Sequence, residues 1–150
     1  MALYHFSVRH VSRGKGQMVI ASAAYISGQR IFDSYYNKIH DYTSKSGVIF
    51  TEILTPEYVP ERLTDRETLW NEVEHVERNN KAQLAYSFDI ALQNELTLEE
   101  NIRLAKEFCQ EQFVARGMIV DLAVHEGKSD NEEEPDNPHF HVLVPIRPFT

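Results

Sequence analysis

The chain has 150 residues, 42% hydrophobic and 25% charged, with 15 Lys/Arg against 23 Asp/Glu and a formal net charge of −8. That length suits one domain over 1–150 with its own core; the composition excludes a disordered chain, and no apolar run approaches the roughly 18 residues of a membrane span. The N-terminus has no signal-peptide pattern and the single cysteine, Cys109, allows no disulfide framework, so the expected setting is the cytoplasm.

Alternating Tyr, Phe and Val over Leu3 to Val11 predict a strand, ended by the turn Ser12-Arg13-Gly14-Lys15-Gly16. An Ala-rich helix follows over Val19 to Ile31, with Gly28 near its end. Residues 33–46 mix polar and aromatic types without a period and are left unassigned. Val48 to Leu54 is a second strand, closed by Pro56 and Pro60. Thr64-Asp65-Arg66-Glu67 combines an N-cap with an acid three residues on, and Leu69, Trp70, Val73 and Val76 continue at helical spacing. Leu84 to Leu92 is a strand with Ala85, Ser87, Asp89 and Ala91 on one face. Thr97-Leu98-Glu99-Glu100 is a second capping box, opening a helix that runs to the Arg116-Gly117 stop. Met118 to Val124 and His139 to Ile146 are the last strands, most simply an antiparallel hairpin around an acidic loop holding Asp130, Glu132, Glu133, Glu134 and Asp136. This order predicts an α+β fold with an antiparallel sheet of about five strands and helices packed on it.

In a strand, positions two apart share a face, so His139 and His141 present both imidazoles to one side while Phe140 turns to the core. His125 ends the preceding strand. If 125 and 139 face each other at the hairpin mouth, three ring nitrogens converge as a divalent cation requires, and a three-His site leaves coordination positions open for catalysis. His5, His10, His40 and His75 have no comparable partners. Spacing alone does not select the chemistry, because cupin-type and amidohydrolase-type sites also pair histidines on strands.

Charge is segregated along the chain. The first 50 residues hold Arg9, Arg13, Lys15, Arg30, Lys38 and Lys45 against Asp33 and Asp41, whereas the remaining residues carry a strong acidic excess. A globally basic nucleic-acid surface is excluded, but a locally basic face is not.

Ala23-Ala24-Tyr25-Ile26-Ser27-Gly28-Gln29-Arg30, joined to the downstream His125 and Asn137-Pro138-His139-Phe140-His141, resembles the relaxases of the MobA/MobL family, mobilisation nucleases of the His-hydrophobic-His class. The likeness continues through Asp41 to Val48, Glu52 to Pro56, Leu69 to Glu74, Ile90 to Leu92 and Gln112 to Asp121. It implies a fold similar to relaxases and rolling-circle initiators, and nicking with strand transfer at a plasmid or transposon origin of transfer. By match to the family's first motif, Tyr25 would attack the phosphodiester and form a 5′-phosphotyrosyl link. His125, His139 and His141 would hold a divalent metal, with imidazoles favouring zinc, copper or nickel by affinity and cellular supply favouring manganese or magnesium.

Relatives carry an Arg-Glu pair where this chain has Tyr86-Ser87, so the carboxylate behind the metal ligands is sought in Asp89, with Glu126 and Asp121 as substitutes. Arg9, Arg13, Lys15, Arg30, Lys38 and Lys45 are candidates for phosphate contacts, and Tyr35, Tyr36 and Tyr42 for base stacking. The implied partners are single-stranded DNA at the origin and other relaxosome and coupling proteins, with no membrane. Three other readings use parts of the same pattern: a rolling-circle replication initiator, a three-His metalloenzyme acting on small molecules, and a silent DNA-binding module. Relatives are usually longer, so the 150 residues are expected to be the nicking domain of a longer protein.

Overall fold

The structure, a computed structural model, describes residues 6–129, 133 and 136–148. Its elements in chain order are β1 (Phe6–Ser12), α1 (Val19–Ser27), β2 (Arg30–Asp33), β3 (Lys38–Asp41), β4 (Val48–Leu54), α2 (Arg66–Val76), β5 (Gln83–Ala91), α3 (Leu98–Gln112), β6 (Val120–His125) and β7 (His139–Pro145). Five strands form one antiparallel sheet in the order β1-β5-β7-β6-β4, and β2 pairs with β3 in a separate two-stranded ribbon. The α+β class expected from the order of elements is the one adopted.

The interior strands β6 and β7 are covered on both sides, which is why their central positions are Val, Leu and Ala instead of an alternation with charged residues. On one face, Val11, Ala85 and Leu143 pack against Val19, Ile20, Ala23 and Ala24 of α1 and Leu69 and Trp70 of α2. On the other, Leu122, Val124, Phe140, Val142 and Val144 meet Ala105 and Cys109 of α3. Phe140 is the largest fully buried side chain in that second layer, packed edge-on to Phe108 at 5.8 Å, and its burial contributes about 2–3 kcal/mol. The core-facing role expected of Phe140 is met.

Local chemistry sets the element ends. α3 begins at a complete capping box, with the Thr97 hydroxyl accepting from Glu100 N and the Glu100 carboxylate accepting from Thr97 N. α2 differs from expectation by one residue. Asp65, not Thr64, is the N-cap, accepting from Thr68 N at 3.1 Å, while the Thr64 hydroxyl donates to the Glu61 carbonyl in the preceding helical turn.

α1 stops at Ser27 rather than reaching Ile31, because Gly28 takes φ 66° and its N–H closes on the Ala24 carbonyl. The freed residues Arg30–Asp33 become β2, and the unassigned stretch beyond supplies β3. The first strand begins at Phe6; its predicted residues 3–5, like His5, lie outside the described residues. So do Asp130, Glu132 and Glu134 of the acidic loop. No helix among the described residues is long and apolar enough to cross a membrane.

Candidate metal centre and nucleophile

The hairpin of β6 and β7 sets His125 directly opposite His139, and Ala123 opposite His141. Opposed residues in an antiparallel pair share a face, so all three imidazoles project to the side that α1 covers in part. One nitrogen from each ring lies within 4.8 Å of the others, and the ring centroids are 4.5–5.1 Å apart. Among the described residues this is the grouping of His, Cys, Asp or Glu that could hold a metal.

Two of the rings are oriented by hydrogen bonds to backbone carbonyls, and the third stands beside a carboxylate. The Nε2 of His125 is 2.8 Å from the Ile26 carbonyl oxygen, and the Nδ1 of His139 is 2.8 Å from the Asn137 carbonyl oxygen. The Nδ1 of His141 is 3.8 Å from Asp89 Oδ1. A carbonyl only accepts, so His125 and His139 donate from those nitrogens and keep the opposite one as a lone-pair ligand. Burial pushes His141 down to about 4, with Asp89 opposing the shift, and burial also lowers His125. Both are therefore neutral at pH 7, the form a metal binds. The donor set fits a divalent cation with open positions.

The carboxylate candidates separate cleanly. Asp89 stands opposite His141 in the β5–β7 register, on the same face and beside its ring. Asp121 is not behind the rings: it is fully buried, gripped by Arg66 Nε at 2.8 and 2.9 Å and by Trp70 Nε1 at 2.8 Å, and so ties α2 to β6. Glu126 follows His125 and lines a hollow with Gln93, Thr97, Asn101 and Lys128, on the side of α3.

Tyr25 sits in the last turn of α1, 47% exposed, immediately before the Ile26 that holds His125. Its ring meets Tyr42 edge-on at 5.3 Å and carries the Lys45 ammonium over its face at 3.5 Å. Ala23 and Ala24 on the same helix are buried, which is why small residues flank a tyrosine left outside.

Of the basic residues, Arg9 is exposed on β1 opposite Ser87, on the face that carries Asp89 and His141. Lys15, Arg30 and Lys38 are also exposed, with Arg30 4.0 Å from Asp41. Arg13 is not available for DNA. It is buried, with its guanidinium on the Glu74 carboxylate at 2.6 Å and on the carbonyls of Glu74, Glu77 and Asn79, where it closes the C-terminal end of α2. Tyr35 packs over that guanidinium at 4.4 Å and against Tyr36 and His75, so the ribbon tip is occupied by its own contacts. His10 packs at a tilt against Tyr86, His40 is buried on Asp33 at 3.3 Å, and His75 meets Ser34 Oγ at 2.8 Å. None of these three joins the cluster.

Backbone groups of the site were invisible in the sequence: the Ile26 and Asn137 carbonyls carry no side-chain signature. Gly127 was also missed. It takes φ 58°, its carbonyl accepts from Asn137 N at 2.8 Å, and a Cβ there would lie 1.9 Å from the Asn137 oxygen that orients His139.

A profile of the MobA/MobL family matches residues 17–150. The chain belongs to the MobA/MobL family. It is 36% identical to the conjugal transfer protein TraA of Agrobacterium fabrum, covering 100% of this chain and 14% of that protein. It is 33% identical to the probable mobilization protein MobA of Bifidobacterium longum, over 98% of this chain and 25% of the relative, and 33% identical to the mobilization protein MobL of Acidithiobacillus ferridurans, over 97% and 38%. The chain thus spans well under half the length of these relatives. A solved structure described as the molecular basis of vancomycin resistance transfer in Staphylococcus aureus superposes with a TM-score of 0.88 at 40% identity, over 99% of this chain and 73% of that one.

Proposed function

We propose that residues 1–150 form a nicking domain that cuts and rejoins one DNA strand at an origin of transfer through a covalent bond to Tyr25. The observation that carries this reading is the tie between His125 and Ile26, which fixes the three-imidazole cluster against the helix turn bearing an exposed tyrosine, in a chain of the MobA/MobL family. A cluster of imidazoles alone would serve many reactions; a phenol beside it supplies a nucleophile.

Tyr25 Oη forms a bond to the scissile phosphorus, the bond from phosphorus to the 3′-oxygen breaks, and a free 3′-hydroxyl is left. The phenol proton is released to solvent and the departing oxygen takes one up, so the strand ends as a 5′-phosphotyrosyl ester. The ester conserves the energy of the original bond, so attack by a 3′-hydroxyl reverses the step without an added energy source. His125, His139 and His141 would hold a divalent metal, which supplies Lewis-acid stabilisation of the phosphate oxygens when bound.

Asp89 steers His141, and the carbonyls of Ile26 and Asn137 steer the other two rings. The strand would approach over Arg9 on the open part of the histidine-bearing face, with Lys15, Arg30 and Lys38 as further phosphate contacts and Tyr42 as a stacking platform. Single-stranded DNA is the partner this requires.

The test uses a labelled single strand from the replicon that encodes the chain, incubated with the protein and Mn, Mg or Zn. A single strand-specific nick, with transfer of the 3′ portion through its 5′-phosphate onto an added acceptor oligonucleotide bearing a 3′-hydroxyl, is expected. Cleavage without any transfer would indicate hydrolysis and overturn the covalent route.

A further inference from the structure

Lys45 belongs to a turn, 42–47, that is fastened at both ends to the two halves of the site. At one end Tyr42 N donates to the Gln29 carbonyl at 3.1 Å, just past the end of α1. At the other, the Gly47 carbonyl accepts from Glu126 N at 2.9 Å, next to His125. The turn itself is stiffened by Asp41, whose carboxylate accepts from both the N–H and the hydroxyl of Thr43, and by Lys45 N on the Tyr42 carbonyl.

This frame puts two side chains on one tyrosine. Tyr42 meets the edge of the Tyr25 ring, and Lys45 Nζ lies 3.5 Å from its centroid, over the face. Lys45 is partly buried. An ammonium over a ring face is attracted to the negative quadrupole, and the attraction grows when the phenol oxygen gains negative charge. Such growth happens as Tyr25 attacks, so the contact is stronger in the transition state than in the resting protein, which is the condition for acceleration.

We infer that Lys45 is a positioning residue for the nucleophile, holding the Tyr25 ring and stabilising the charge that gathers on its oxygen during attack. The inference rests on the proposed role of Tyr25. It differs from a plain phosphate contact, which would tighten DNA binding without changing the rate once DNA is bound. It also assigns the reverse step: the same ammonium stabilises the departing phenolate when the strand is rejoined.

Single-turnover cleavage of the labelled origin strand, measured against protein concentration for wild type, Lys45→Met and Lys45→Arg, separates these roles. Lys45→Met keeps the length and apolar stem, and its fold is checked by thermal melting. The expected result is a fall of about tenfold in the rate at saturation, the scale of a partly desolvated cation–π contact, with half-saturation changed far less. Lys45→Arg, which keeps charge over the ring, should stay within about threefold of wild type. A Lys45→Met protein that cleaves at the wild-type rate when saturated overturns the inference, as does equal loss in both variants. Wild-type protein that forms no adduct defeats the proposed function itself, before any variant is compared, and takes the inference with it.

Discussion

The imidazole of His125 donates to the carbonyl oxygen of Ile26 at 2.8 Å across 99 residues of sequence. That bond joins the end of β6 to the last turn of α1, so the residue next to the proposed nucleophile orients one of the three clustered imidazoles. Histidine cluster and tyrosine are therefore one unit, and disturbance of either side is expected to reach the other.

Asp89 is the carboxylate beside His141, with Oδ1 3.8 Å from Nδ1. Loss of such a partner weakens metal binding by roughly 10–100-fold. Titration calorimetry of Asp89→Asn with Mn²⁺ or Zn²⁺ should show a loss in that range, whereas Glu126→Gln should bind as wild type does. A weakened Glu126→Gln beside an unaffected Asp89→Asn would reverse the assignment.

Gly127→Ala should damage His139 without touching it. The added Cβ cannot stay 1.9 Å from the Asn137 oxygen, and φ 58° is costly for alanine, so the loop neck must open. Cobalt-loaded protein should then show weaker binding and altered visible absorption. Asn137→Ala, which leaves the carbonyl in place, should show neither; a normal cobalt spectrum in Gly127→Ala would refute the link.

Asp121 is a stability residue. Removing it leaves the Arg66 guanidinium buried without its partner, which costs about 3–5 kcal/mol. Urea unfolding of Asp121→Ala should show a loss of that order, with the metal affinity of the folded fraction unchanged. A loss below about 1 kcal/mol would mean that the pair is solvated or readily replaced.

Burial pushes the Cys109 thiol up to about 12 from 9.0. Below pH 9 both folded and unfolded thiols are protonated and the group has no effect on stability. Above it the unfolded chain loses a proton that the folded one retains, so stability falls as pH rises from about 9 towards 12. Cys109→Ala should flatten that part of the pH–stability curve, and the native thiol should resist disulfide reagents at pH 8 until the chain unfolds. Rapid native labelling would contradict its burial.

Much of this was legible in the residues because it is local. His139 and His141 share a face by the two-residue period of a strand, and Thr97 and Glu100 cap each other three residues apart. What escaped was of three kinds. Arg13 and Lys45 look alike as isolated cations, but the first meets Glu74, 61 residues away, and is buried, while the second meets an exposed tyrosine. The β2–β3 ribbon has strands of four residues, too short for a period to show, with its turn at Asn37 in the left-handed region instead of at a glycine. The carbonyls behind His125 and His139 belong to the backbone, which every residue shares.

The most direct measurement of the central claim is mass spectrometry of the protein–DNA adduct after digestion with protease and nuclease, for wild type and Tyr25→Phe. The expected product is a nucleotide joined through phosphate to the peptide containing Tyr25, with no adduct from the Tyr25→Phe protein, although that variant still binds the strand. An adduct on another residue, or an undiminished adduct in Tyr25→Phe, would contradict the role of Tyr25.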